Sequence, residues 1–513
     1  MNHTEKTLKN SLISVCAQVC NLAIQFVNRA IFVLFLDIEL LGYQSLFSNI
    51  FSYLSLAEFG IGNVIAVHLY KAVVKNNIED ICKLMLLFKW LYRAVAFIVL
   101  IAGFLCYFCL PFFVKNEIIS WNYVSLIYVM TLISIVLGYF LSYKRYLFIV
   151  SQQEYKCVTI DVFVAVFIQI IQLVTLAIFK NFILYLAIQL SSTLVSNIII
   201  SSKCNSEFNF IRRKYVISFD FIKGLNLFTD LRDLFIHKIC YAVFSGTDNI
   251  FISFFCGVRS VALYGNYFMI HMGVRSLLFY KLLDPVQATI GNIVHSDKHK
   301  DVLWSQFNML DMFSFLLATF IGISLLCCFQ PVIELWMGKD YLLSMEFVIF
   351  FSFYNYLLAV WEIVYKYRNV FGDYKQDRFC MLISAVVNII ASFFGGKYFG
   401  IEGIIIGSIL GFLPISYGRI RFIVRNFFGK SIYKYYLKHL FFLTIACLES
   451  FFCFFICERL SVSFVGLLER GFICAFVPLF ISCLLFWKNN SFKSILMYFK
   501  RFFFIILRRI KNI

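Results

Sequence analysis

Apolar stretches long enough to cross a lipid bilayer recur along nearly the whole chain, and they leave very few folds open to it. A helix needs about twenty apolar residues to span the hydrocarbon core, because each residue adds about 1.5 Å of rise. By that measure roughly fourteen spans are expected. Six lie near residues 12–36, 43–69, 88–110, 122–143, 158–179 and 181–201. Eight more lie near 234–257, 261–285, 309–330, 342–365, 379–399, 402–424, 438–457 and 465–487. Composition agrees: the 513 residues are 61% hydrophobic and 14% charged, where a soluble domain carries about a quarter charged residues. The expected fold class is all-α, a polytopic membrane protein with about fourteen transmembrane helices.

Loop charge tests that count independently, since Lys and Arg collect on the cytoplasmic side of a membrane. One set of alternate loops is rich in cations: Lys71, Lys75, Lys83 and Lys89; then Lys144, Arg145 and Lys156; then Arg212, Arg213 and Lys214. The same side continues with Lys298 and Lys300, with Lys366, Arg368, Lys375 and Arg378, and with Arg419, Arg421, Arg425 and Lys430. The opposite loops carry one or two cations each, such as Lys115, Lys180, Arg259 and Lys339. The alternation places both termini in the cytoplasm. It also accounts for the net charge of +18, which otherwise suggests nucleic acid; no basic soluble domain exists to carry such binding. Met1–Lys9 is short and polar, so the first helix is expected to act as its own targeting signal.

One connection, 202–233, is long enough to divide the chain. The expected organisation is an N-terminal six-helix bundle (1–201), a cytoplasmic connection (202–233), a second six-helix bundle (234–424), two additional C-terminal helices (425–487) and a basic amphipathic cytoplasmic tail (488–513). A faint repeat supports two related halves. Arg29-Ala30-Ile31-Phe32-Val33-Leu34-Phe35 resembles Asp248-Asn249-Ile250-Phe251-Ile252-Ser253-Phe254, and each continues through a short polar loop into a further span.

Charged residues at membrane depth are expensive and are kept where they face protein or water. Gln18, Asn21, Gln25 and Arg29 recur at helical intervals and share one face of the first span. Such a face turns away from lipid, either toward a cavity or into interhelical hydrogen bonds; Arg29 favours the cavity. Arg275, with His271 one turn before it, is the counterpart in the second half. A guanidinium matches a phosphate or diphosphate in bidentate fashion, although an ion pair with Asp248 would also neutralise Arg275. Glu58 stands alone in an apolar run, either as an ion-coupling carboxylate or as the partner of Arg29, and Gly60 and Gly62 allow close helix contact or bending just after it. Arg93, Asp161, Lys238, Asp311 and Glu362 lie near span ends, where snorkelling or rim pairing is usual.

No catalytic constellation, P-loop or dinucleotide fingerprint is present, and the seven histidines have no metal-ligand spacing. No cofactor and no metal site is expected. The 17 cysteines lie mostly inside apolar runs and read as small buried hydrophobes.

Two groups of residues give the chain a resemblance. Ser45-Leu46-Phe47-Ser48-Asn49-Ile50 with Leu54-Ser55-Leu56-Ala57-Glu58-Phe59-Gly60-Ile61-Gly62 forms the first, and Thr247-Asp248-Asn249-Ile250 with Leu263-Tyr264-Gly265-Asn266-Tyr267 the second. Glu334-Leu335-Trp336-Met337-Gly338 and Tyr367-Arg368-Asn369-Val370-Phe371-Gly372 add to it. In these the chain resembles polysaccharide-unit flippases of the multidrug/oligosaccharidyl-lipid/polysaccharide exporter superfamily. The resemblance implies two bundles around a central cavity and transport by alternating access in a bacterial inner membrane. It implies a polyprenyl-diphosphate-linked oligosaccharide as substrate, for O-antigen or capsule assembly, with a polysaccharide polymerase and a chain-length regulator as partners besides the bilayer. Asn21, Gln25, Arg29, His271 and Arg275 would then contact substrate, and Glu58 and Asp248 would serve coupling or ion pairing. The chain departs from the pattern in offering few mid-membrane cations. A multidrug/cation antiporter of the same superfamily is one rival reading. An integral-membrane glycan polymerase or ligase is another, and the shortness of the external loops counts against it.

Overall fold

The computed structural model describes residues 22–58, 61–75, 77–113, 119–151, 153–212, 246–276, 300–371 and 377–497, with isolated positions at 19, 215, 217, 221 and 290. Asn21, Gln18 and the tail beyond residue 497 therefore lie outside the described residues, as does most of 213–245. Every described element is helical. Nine of the described helices are long and apolar enough to cross a membrane, and the protein is a multi-pass membrane protein.

The chain forms two compact units, Met1–Gly265 and Asn266–Ile513. The first contains α1 (Leu22–Phe35), α2 (Ile38–Leu54), α3 (Ile61–Val74), α4 (Ile78–Tyr107), α5 (Trp121–Ser142), α6 (Glu154–Phe179), α7 (Phe182–Glu207) and α8 (246–256). Within it α6 packs on α7, α7 on α5, and α5 on α4 and α2. Asn77 and Asn181 start α4 and α7 by accepting from the backbone N–H three residues on, which satisfies one of the four donors that a helix start leaves open. The outward faces remain apolar: Phe163 is 75% exposed and Leu34 79%, an arrangement that water would penalise and lipid does not.

α9 (Val258–Arg275) gives its first residues to the first unit and the rest to the second. The repeat has a local counterpart, since α1 and α8 each end in a short break and lead into a helix whose early tyrosine, Tyr43 or Tyr264, is buried.

The second unit is organised around α10 (Lys300–Met337), which packs on α11 (Met345–Val360), α14 (Ile432–Glu458) and α15 (Phe464–Phe486). α12 (Glu362–Phe371) follows α11 after a break at Trp361. α13 (Arg378–Ile420) doubles back at Gly400, whose φ of 64° and ψ of −137° lie outside the helical region. A side chain is strained there, and glycine is not. Beyond the bend the two arms press so close that a Cβ on Gly403 would collide with the Gly395 carbonyl. Small residues permit that approach, a common means of helix association in lipid.

One expected span proves to be two elements. The run 43–69 breaks into α2, a 3-10 turn over Ser55–Glu58, and α3. Ser55 Oγ donates back to the Phe51 carbonyl at 2.8 Å, a local bond that competes with helix continuation.

Candidate functional site

In the first unit, Arg29 lies two turns from the end of α1 and reaches the backbone of α9. Its Nη2 donates to the Ala262 carbonyl at 2.9 Å and sits 2.8 Å from where a Cβ on Gly265 would stand. Any larger residue at 265 would push the guanidinium away. Gln25, one turn earlier, is exposed on the same helix. Elsewhere in the same unit polar side chains are bonded across helices. Gln172 donates to the Tyr185 carbonyl at 3.2 Å and Gln44 to Gln189 Oε1 at 2.6 Å.

Glu58 ends the 3-10 turn between α2 and α3. Its carboxylate accepts from the Tyr92 hydroxyl of α4, and Tyr139 and Tyr146 stand close to it. Asp248, on α8, is 8% exposed and accepts from Tyr264 at 3.5 Å, with Tyr53 also near.

In the second unit His271 and Arg275 occupy successive turns of α9 and line one small cavity with Val274, Ile321, Asn355, Leu358 and Glu362. His271 Nδ1 is hydrogen-bonded to Asn355 Oδ1. Arg275 Nη2 stands 3.9 Å from Glu362 Oε2, and Lys366 Nζ stands 3.3 Å from the other oxygen. Glu362 is 4% exposed, so the rim residue of the sequence reading is a buried anion flanked by two cations. Asn355 and Glu362 are the site residues that the sequence reading did not assign. They stand seven residues apart, near two helical turns, and that spacing is the signal for a shared face.

Three other charge clusters hold helices together, a partly exposed one at Asp161 and buried ones at Asp311 and Asp377. Arg145 grips Asp161 with two bonds of 2.6 and 2.7 Å. Asp311 accepts from Tyr435 at 2.7 Å and Lys438 at 2.5 Å. Asp377 accepts from Arg368 and Arg419. Glu449 is 2% exposed, and neither of its oxygens has a hydrogen-bond partner among the described residues.

No family model and no curated protein matches the chain in sequence. Solved structures do match in shape. A lipid II flippase, MurJ, in an inward closed conformation, superposes with a TM-score of 0.70 at 16% identity, over 93% of this chain and 99% of that one. The chain shares its fold. The same exporter fold appears in an inward-facing multidrug resistance MATE transporter of the MOP superfamily, with a TM-score of 0.56 at 12% identity over 80% of this chain and 98% of that one. It appears again in a mutant of the Vibrio cholerae MATE transporter VcmN, with a TM-score of 0.53 at 12% identity over 81% and 94%. At such identities the likeness establishes the fold, and the residues above must supply the chemistry.

Proposed function

We propose that this protein flips polyprenyl-diphosphate-linked oligosaccharide repeat units from the cytoplasmic to the outer leaflet by alternating access, in a bacterial inner membrane with both termini cytoplasmic. The observation that carries the reading is the guanidinium on each of two membrane helices, Arg29 bonded to a backbone carbonyl and Arg275 lining a cavity beside Glu362. Guanidinium keeps its charge at any cellular pH, and its planar fork fits diphosphate oxygens. Gln25, His271 and, by its sequence position, Asn21 would hydrogen-bond the sugars. The relatedness in fold to a protein named as a lipid II flippase supports a lipid-linked substrate. A polysaccharide polymerase and a chain-length regulator would act on the product.

Glu58 and Asp248, each held by tyrosine hydroxyls, favour a second reading, an antiporter driven by a cation gradient. The glycan polymerase or ligase reading draws no support from the fold, whose relatives are transporters. The experiment is leaflet accessibility of lipid-linked oligosaccharide in cells lacking the protein. Accumulation facing the cytoplasm, relieved by the restored gene, is the expected result. Normal outward exposure with unpolymerised units would move the protein to a later step, and normal glycan with altered drug tolerance would favour the antiporter.

A further inference from the structure

Three cysteines that are far apart in sequence converge in the second unit. Cys327 comes from α10, Cys457 from the last turn of α14 and Cys474 from α15, and their sulfurs all lie within 4.8 Å of one another. Their exposures are 4%, 2% and 0%, and none forms a disulfide. Ile323, Cys453, Cys328, Phe454, Ile473 and Val477 pack around them. Beside them, one turn before Cys474, is Arg470, which is 3% exposed and caps the end of α14 through the carbonyls of Leu460 and Ser461, each at 2.8 Å.

We infer that Cys327, Cys457 and Cys474 form a binding site for a thiophilic d10 divalent cation such as zinc. The bland alternative, cysteine as a small packing residue, accounts for burial but not for three sulfurs turned toward one point. A disulfide joins two sulfurs at about 2.05 Å and leaves the third without a role. Three thiolates around a metal at about 2.3 Å stand about 4 Å apart, a spacing that small side-chain rotations reach from the one observed. Charge also selects the ion. Three thiolates and a divalent cation sum to one negative charge, which Arg470 offsets, so the assembly is neutral in apolar surroundings. Binding forms three metal–sulfur bonds and releases three thiol protons, with no change in oxidation state. The occupied site ties α14 and α15 to α10. Spacing could not reveal it, since the ligands come one from each helix. The chain's C-x-x-C pair, Cys106 and Cys109, lies elsewhere.

The test uses the full chain in lipid nanodiscs with cadmium as probe, read by the sulfur-to-cadmium charge-transfer absorption. One cadmium per chain is expected, displaced by zinc. Cys327→Ser, Cys457→Ser and Cys474→Ser should each weaken binding at least about tenfold, the loss expected when a metal ligand or its support is removed, while Cys109→Ser and Cys447→Ser leave it unchanged. A second measurement needs no variant: cadmium should protect these three cysteines from alkylation, residue by residue, in the unmodified protein. Absence of the band, binding that survives all three substitutions, a disulfide among the three in freshly isolated protein, or stoichiometric binding of copper(I) with none of cadmium would each overturn the inference.

Discussion

Replacing Asp377 with alanine should unfold this protein at a markedly lower temperature. Asp377 is fully buried at the start of α13 and accepts from Arg368 Nη2 at 2.5 Å and Arg419 Nε at 3.3 Å. The side chain of Arg368 is 1% exposed and that of Arg419 12%, so neither guanidinium reaches water without unpacking the helices around it. Removing one partner of a buried pair costs about 3–5 kcal/mol. Alanine should cost about 4 kcal/mol or more here, because two cations share the lost anion. Asparagine keeps an accepting oxygen and should fall near the lower end, about 3 kcal/mol. The comparison is Arg145–Asp161, whose two bonds are as short but whose side chains are 25% and 37% exposed. Water replaces that pair, so Asp161→Ala should cost no more than about 1 kcal/mol. In a domain of this size each kcal/mol moves the Tm by about 2–4 °C. The expected shifts are about 8–16 °C for Asp377→Ala and about 2–4 °C for Asp161→Ala. A thiol-reactive fluorogenic dye reports the melt in detergent, since Cys204 and Cys453 are fully buried until the helices part. A Tm for Asp377→Ala within about 3 °C of the unmodified protein, on the same scale, or no lower than that of Asp161→Ala, refutes the argument from burial.

Three further outcomes follow from the sites. Arg29→Ala and Arg275→Ala should each abolish glycan export with the protein still present in the membrane, and the lysine variants should retain part of it because they keep charge but lose the fork. Normal surface polysaccharide in both alanine variants would remove these residues from the substrate path. Glu58→Gln keeps a partner for Tyr92 but loses the charge, so transport should fall while the Tm holds; unchanged transport would count against a coupling role. Glu449→Leu removes a buried carboxyl whose oxygens lack partners among the described residues, a defect of about 1–3 kcal/mol. Its Tm should rise by at least about 2 °C, and a fall would reveal a partner for Glu449.

Much of the architecture was legible locally. Hydropathy marked the helices of both units, and the expected break between 379–399 and 402–424 is the bend at Gly400. Gln172 donates and Gln189 accepts in bonds that cross between helices. The interruption at Ser55–Glu58 was not legible, since the apolar run continues through it. A helix there ends through the competing bond from Ser55 and the reach of Glu58 to Tyr92, a residue on another helix. Hydropathy places Glu362 near a span end, where a rim charge is expected, while its burial depends on what packs over it.

That this chain lives in a membrane as a bundle of helices follows from its local pattern, because hydrocarbon admits no unpaired backbone and apolar length is a local property. The same pattern also singled out Arg29, His271 and Arg275, since a polar or charged residue in an apolar run stands out against its neighbours. Their partners, by contrast, come from the packing of helices in three dimensions. Arg29 meets the carbonyl of Ala262, Arg275 meets Glu362, and Cys327, Cys457 and Cys474 meet one another. Those meetings depend on helix rotation and register, which packing of whole faces sets, and no spacing within a single helix encodes them.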